Sequence, residues 1–222
     1  MRGFLDIFFK VVSVVGHPIL LPTYFALTIN DIYGLYPIMV AGMTFVFPFL
    51  VMLLVFGFMQ FRLANRNNKQ GAGVVLSQEE VSEMSGNMLE RLEGFFSTTR
   101  NRTMALLIVV AFSLLGFFVY RSPMWGLITM LTAIASLGCL LINNFWRLSI
   151  HAYGWGFALY LMLFQYSYVF ENGFLMSLLA ILACGMVLSS RLYLGRHNNL
   201  QVHLGFVIGA AIPALLYLAL SF

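Results

Sequence analysis

The chain has 222 residues, of which 61% belong to the AVILMFWYC class and 9% are charged, with a formal net charge of +4. So few charged groups cannot cover a water-soluble domain, in which about 25% of residues are charged, and so much apolar content excludes disorder. A basic balance can signal nucleic acid, but here Lys and Arg stand at the ends of apolar runs. Membrane topology accounts for them, and no nucleic-acid partner is expected.

A transmembrane helix needs about 20 mostly apolar residues. Seven segments qualify: residues 11–30, 36–59, 104–120, 124–143, 152–170, 173–189 and 204–220. The first contains Pro18 and Pro22 and is expected to kink or to begin late. No cleavable signal peptide is expected, because the first apolar run is long. Tight turns are expected at Arg121-Ser122-Pro123 and at Glu171-Asn172. Cys139 and Cys184 lie inside apolar runs and read as small buried hydrophobes.

The long polar stretch is residues 60–102. Residues 62–73 read as a loop, and Ser77 to Glu80 form a capping-box pattern. Val81, Met84, Met88, Leu89, Leu92 and Phe95 then follow at helical spacing, with Glu83, Glu90 and Glu93 between them. This is an amphipathic helix. It lies in the membrane interface or caps the bundle, or it is a surface helix packing its own stripe. The expected architecture is one all-α domain over residues 1–222: an integral membrane bundle of six or seven transmembrane helices plus this interfacial helix.

Seven crossings place the N-terminus and residues 60–102, 144–151 and 190–203 on one face. Eleven of the twelve Lys and Arg residues then share that face, and only Arg121 is opposite. Five of the eleven (Arg100, Arg102, Arg147, Arg191, Arg196) stand near histidines or helix starts. Without them the ratio is still six to one, which points the face toward the cytoplasm.

Three short segments meet there by parity, since two crossings separate each from the next. They are residues 99–103 with Arg100 and Arg102, residues 147–151 with Arg147, Ser149 and His151, and residues 190–201 with Arg191, Arg196, His197 and Gln201. Guanidinium forks suit phosphate oxygens, and a helix start at Ser149 adds a hydroxyl and backbone N–H groups. Two imidazoles can divide nucleophilic attack from proton transfer. None of the three segments holds a carboxylate, so no metal site and no cofactor are expected.

These residues resemble a known family. Ser190-Arg191, five residues, then His197 is similar to the third signature of the type 2 phosphatidic acid phosphatases, relatives of the vanadium haloperoxidases. Ser149-Ile150-His151 resembles the second signature, Pro-Ser-Gly-His, and Arg100-Asn101-Arg102 the first, Lys-x6-Arg-Pro. The resemblance covers residues 95–215. Residues 17–24, from His17-Pro18 to Thr23-Tyr24, also resemble divergent bacterial members, which implies a bacterial inner-membrane protein.

The resemblance implies that His197 is the nucleophile and His151 the general acid and then base. Arg191 and Arg102, or Arg100, would hold phosphate oxygens, with Ser149 donating another bond. Arg147 and Arg196 are further phosphate-binding candidates. The chain departs from the pattern at several places. Phe95 stands where the first signature has lysine, Thr103 replaces its proline, and Leu148 and Ile150 replace the proline and glycine of the second. Gln201 stands where the third ends in aspartate. An amide oxygen can accept an imidazole N–H and fix its tautomer, but it cannot stabilise imidazolium as a carboxylate does.

His17 and His203 read as structural. Tyr120, Trp125, Trp146, Tyr153 and Trp155 read as interface belts, and glycines within spans as close-packing positions. Three functions stay open: a phosphatase acting on a lipid phosphate substrate among membrane lipids, a degenerate relative that binds lipid phosphates without hydrolysis, and a transporter or structural subunit. These residues leave the particular lipid, the sidedness and the oligomeric state open.

Overall fold

The computed structural model describes residues 2–18, 47–68, 91, 98–119, 123–166 and 173–220. All regular elements among them are helical: α1 (Arg2–Val15), α2 (Phe47–Asn68), α3 (Thr99–Val119), α4 (Pro123–Phe145), α5 (Ile150–Tyr160), α6 (Gly173–Tyr193) and α7 (Asn199–Leu220). α5 runs directly into a π-helix, Leu161–Tyr166. Three helices are long and apolar enough to cross a membrane: Thr99–Val119, Gly126–Phe145 and Asn199–Ala219. The apolar parts of α2 and α6, Leu50–Arg62 and Ser177–Tyr193, are shorter.

Polar and apolar residues are distributed as in a membrane bundle. Phe118 and Leu54 are 78% and 73% exposed, whereas Arg102 and Arg191 are 3% and 7% exposed. Leu115, Leu179, Leu182, Val207 and Leu218 are exposed too, while Thr129, Ser136, Ser149 and Ser190 are buried. An apolar exterior of this extent is compatible with a membrane-facing surface. Polar groups inside it find partners in the protein: Thr132 Oγ1 donates to the Ile128 carbonyl at 2.8 Å, one turn back.

The first apolar run breaks ahead of Pro18, in keeping with the kink expected there: α1 ends at Val15, and Gly16 follows. Several other expectations need correction. The fifth apolar run leaves α-helical geometry at Leu161. α2 continues to Asn68, through part of the expected 62–73 loop, since extending a formed helix costs little. Tyr153 and Trp155 are not interface belts. Both are buried, with Tyr153 Oη donating to the Ala135 carbonyl at 2.5 Å and Trp155 Nε1 to the Gly16 carbonyl at 2.8 Å. The amphipathic helix expected within 77–95 lies outside the described residues apart from Arg91, and so do the turn at Glu171-Asn172 and most of the first span.

Among the described residues the most extensive packing joins α5 to α7. A Cβ on Gly209 would overlap the Tyr153 carbonyl oxygen, and one on Gly156 would overlap that of Phe206. These are backbone-to-backbone contacts, the type that small residues permit between membrane helices. They set α5 and α7 side by side with both N-termini at the same end of the bundle. There Ser149 N–H donates to the Gln201 carbonyl at 3.4 Å. α3 reaches the same end through Arg102, which donates to the Leu148 carbonyl.

Candidate functional site

The end of α6 determines where His197 sits. Gly195 has φ +62°, a left-handed conformation open to glycine. Its N–H donates to the Leu192 carbonyl at 3.1 Å, and Arg196 N–H donates to the Arg191 carbonyl at 3.2 Å. This pair of bonds is a Schellman cap. It stops α6 and delivers His197 to the start of α7.

α7 opens with a reciprocal capping box. Gln201 N–H donates to Asn198 Oδ1 at 2.8 Å, and Asn198 N–H donates to Gln201 Oε1 at 3.2 Å. His197 Nδ1 lies 3.2 Å from the same Oε1. A backbone N–H can only donate, so the side-chain atom facing it is the amide oxygen. An amide oxygen can only accept, so Nδ1 carries the hydrogen. The neutral ring then has its lone pair on Nε2. Gln201 thus meets His197 through the helix cap, because His197 precedes α7 and is not one turn along it.

His197 is half-buried. Burial first, and then the charges of Arg191, Arg102 and Arg147, push its pKa down to about 4 against the opposing Gln201 bond. Near neutral pH the ring is therefore uncharged.

Ser149 is fully buried and caps α5, its Oγ accepting from Ala152 N–H at 3.4 Å. The hydroxyl hydrogen stays available for donation. His151 follows in the first turn, buried, with Nε2 at 3.2 Å from the Ser13 carbonyl oxygen. By the same reasoning Nε2 carries the hydrogen and Nδ1 the lone pair. The His17 ring meets the His151 ring edge-on, with centroids 4.8 Å apart. Arg191 and His197 are both within electrostatic range of His151.

The structure therefore gathers His197, His151, Arg191, Arg102, Ser149 and Gln201 at one end of the bundle. Arg147 is exposed, yet its charge acts on His197 and Arg102. Arg100 and Arg196 are exposed, and Arg196 serves the cap through its backbone. His203 is exposed and bonded through Nδ1 to the Asn199 carbonyl at 2.7 Å, within its own helix. Ser190 Oγ donates to the Val187 carbonyl at 2.6 Å. Sequence reasoning missed Ser13 and placed His17 outside the site. The local signal for Ser13 is one small hydroxyl on the inward side of an otherwise apolar helix end.

Among the described residues no three His, Cys, Asp or Glu side chains group as metal ligands. Both cysteines are free and buried. Compared with protein-family models, with curated proteins and with solved structures, the chain finds no match. Across the described residues, fold and site together define an all-helical protein with three candidate membrane-spanning helices and a histidine–arginine cluster at one end.

Proposed function

We propose that this protein is a membrane lipid phosphatase resembling the type 2 phosphatidic acid phosphatases. It acts from a bundle of six or seven spans in a bacterial inner membrane. It hydrolyses a lipid phosphate or diphosphate through a phosphohistidine, with arginine charge in place of a divalent ion.

The observation that carries this reading is the bond from His197 Nδ1–H to Gln201 Oε1. It keeps Nε2 unprotonated beside Arg191 and Arg102. Nε2 attacks phosphorus, and the bond from phosphorus to the lipid oxygen breaks in line. The arginines stabilise the equatorial oxygens. His151, with its lone pair on Nδ1, takes a proton from the phosphate monoanion of the bound substrate and gives it to the departing oxygen. It then takes a proton from water, which attacks the phosphohistidine and releases inorganic phosphate.

The test is phosphate release by the purified protein from phosphatidate, phosphatidylglycerophosphate and polyprenyl diphosphate, with EDTA present. At least one should be hydrolysed, and His197→Ala should abolish that turnover without unfolding the protein. Release by His197→Ala at the parent rate would falsify the mechanism.

A second reading is favoured by Ile150, which stands where the resembled family has glycine and removes close backbone approach to an anion. In that reading the protein binds lipid phosphates without hydrolysis. Vanadate would then raise the melting temperature while no lipid on the panel releases phosphate.

A further inference from the structure

We propose that Ser13, on α1, is a positioning residue of this site, holding Arg191 through its hydroxyl and His151 through its carbonyl. The inference deepens the phosphatase reading and rests on it.

A helix leaves its last four carbonyls without partners inside the helix. At the end of α1, the Val12 carbonyl accepts from Gly16 N–H at 2.8 Å and the Val14 carbonyl from His17 N–H at 3.2 Å. The Ser13 carbonyl faces His151 Nε2 at 3.2 Å, and the Gly16 carbonyl accepts from Trp155 Nε1 at 2.8 Å. Two side chains of α5 therefore complete the C-terminus of α1.

Ser13 is 1% exposed, and its Oγ accepts from Arg191 Nη1. One residue thus touches a phosphate-binding arginine on α6 and the proton-transfer histidine on α5, 178 and 138 positions away in sequence. The contact has little slack. A Cβ on Gly16 would overlap Val187 of α6, and one on Gly154 of α5 would overlap Pro18. Arg191 has a long, flexible side chain, and fixing one of its nitrogens limits where the remaining donors can point. The Ser13 carbonyl selects the Nε2–H tautomer of His151 and so leaves the lone pair on Nδ1.

Ser13→Ala tests the hydroxyl alone. It keeps the carbonyl, and alanine is the stronger helix former, so the fold is retained. KM for the hydrolysed lipid should rise about tenfold, as should the vanadate dissociation constant, for loss of one bond to a charged group. The fall in kcat should be no more than about threefold, because the His151 contact remains. A KM and a vanadate affinity both within twofold of the parent overturn the inference. A kcat that falls as far as KM rises, as general loosening would produce, also overturns it.

The vanadate measurement separates this failure from failure of the parent reading. A parent that binds vanadate but hydrolyses no lipid refutes the phosphatase, while the Ser13→Ala affinity still decides the role of Ser13. A parent that neither hydrolyses nor binds refutes both.

Discussion

Replacing Gln201 with alanine isolates the contact on which the proposed nucleophile depends. Its Oε1 accepts from His197 Nδ1 and from Asn198 N–H, both at 3.2 Å. That distance is at the long end of the usual 2.7–3.2 Å range, and both donors are neutral. Each bond is therefore assigned about 1 kcal/mol, not the roughly 1.5–3 kcal/mol of a charge-assisted bond. Loss of the Asn198 bond should cost about 1 kcal/mol of helix-start stability. Loss of the His197 bond removes about 1 kcal/mol of preference for the Nδ1–H tautomer, a factor of about five in the ring population able to attack. Phosphate release by Gln201→Ala should accordingly fall about three- to tenfold, with only a modest drop in melting temperature. Gln201→Glu gives the opposite electrostatic result. A carboxylate accepts the same hydrogens and favours imidazolium, so the His197 pKa should climb from about 4 toward its ordinary 6.5, and the acid limb of activity should move upward with it. The assays are phosphate release against pH and 15N NMR of the His197 ring. A Gln201→Ala enzyme at the parent rate, or a Gln201→Glu acid limb that stays in place or moves down, refutes the assignment.

Further outcomes follow from the same geometry. Because His197 is neutral when folded and protonates near 6.5 when unfolded, the unfolded chain binds more protons between those two values; stability should drop as pH falls from 6.5 to about 4, read by the melting temperature. Gly209→Leu should lower the melting temperature by driving a side chain into the Tyr153 backbone, a cost of about 1–3 kcal/mol. Gly185→Ala, where the added Cβ would meet no atom within 4 Å, should not lower it. Buried Arg102→Ala should weaken vanadate binding roughly 10- to 100-fold, and exposed Arg100→Ala by less than about threefold, by isothermal calorimetry. A cysteine at Ser85, in a chain lacking Cys139 and Cys184, should label from the cytoplasmic side if the charge asymmetry over seven crossings reports topology; labelling from the other side would refute that orientation.

The long apolar runs of α3, α4 and α7 were legible because twenty residues of one character outweigh any local detail. Parity placed Arg102, His151 and His197 on one face without any side-chain geometry, on the premise of seven crossings. Gln201 was legible as a partner of His197 but not as half of a capping box, although Asn198 three residues before it is the written signal. Tyr153 and Trp155 were misread because an aromatic near the end of an apolar run looks the same in sequence whether it faces lipid headgroups or a neighbouring helix. Ser13 carried only one local mark, a hydroxyl within an apolar helix end, and His17 carried none. Their importance lies in contacts with residues more than a hundred positions away, and local pattern carries no information at that range.

The seam between α5 and α7 also bears on traffic through the protein. Where the Gly209 and Gly156 backbones lie against the facing helix, no slot is left for a hydrocarbon tail. If the proposed lipid substrate is the right one, its tail must enter through some other gap among the helices, and the width of that gap would sort one tail from another.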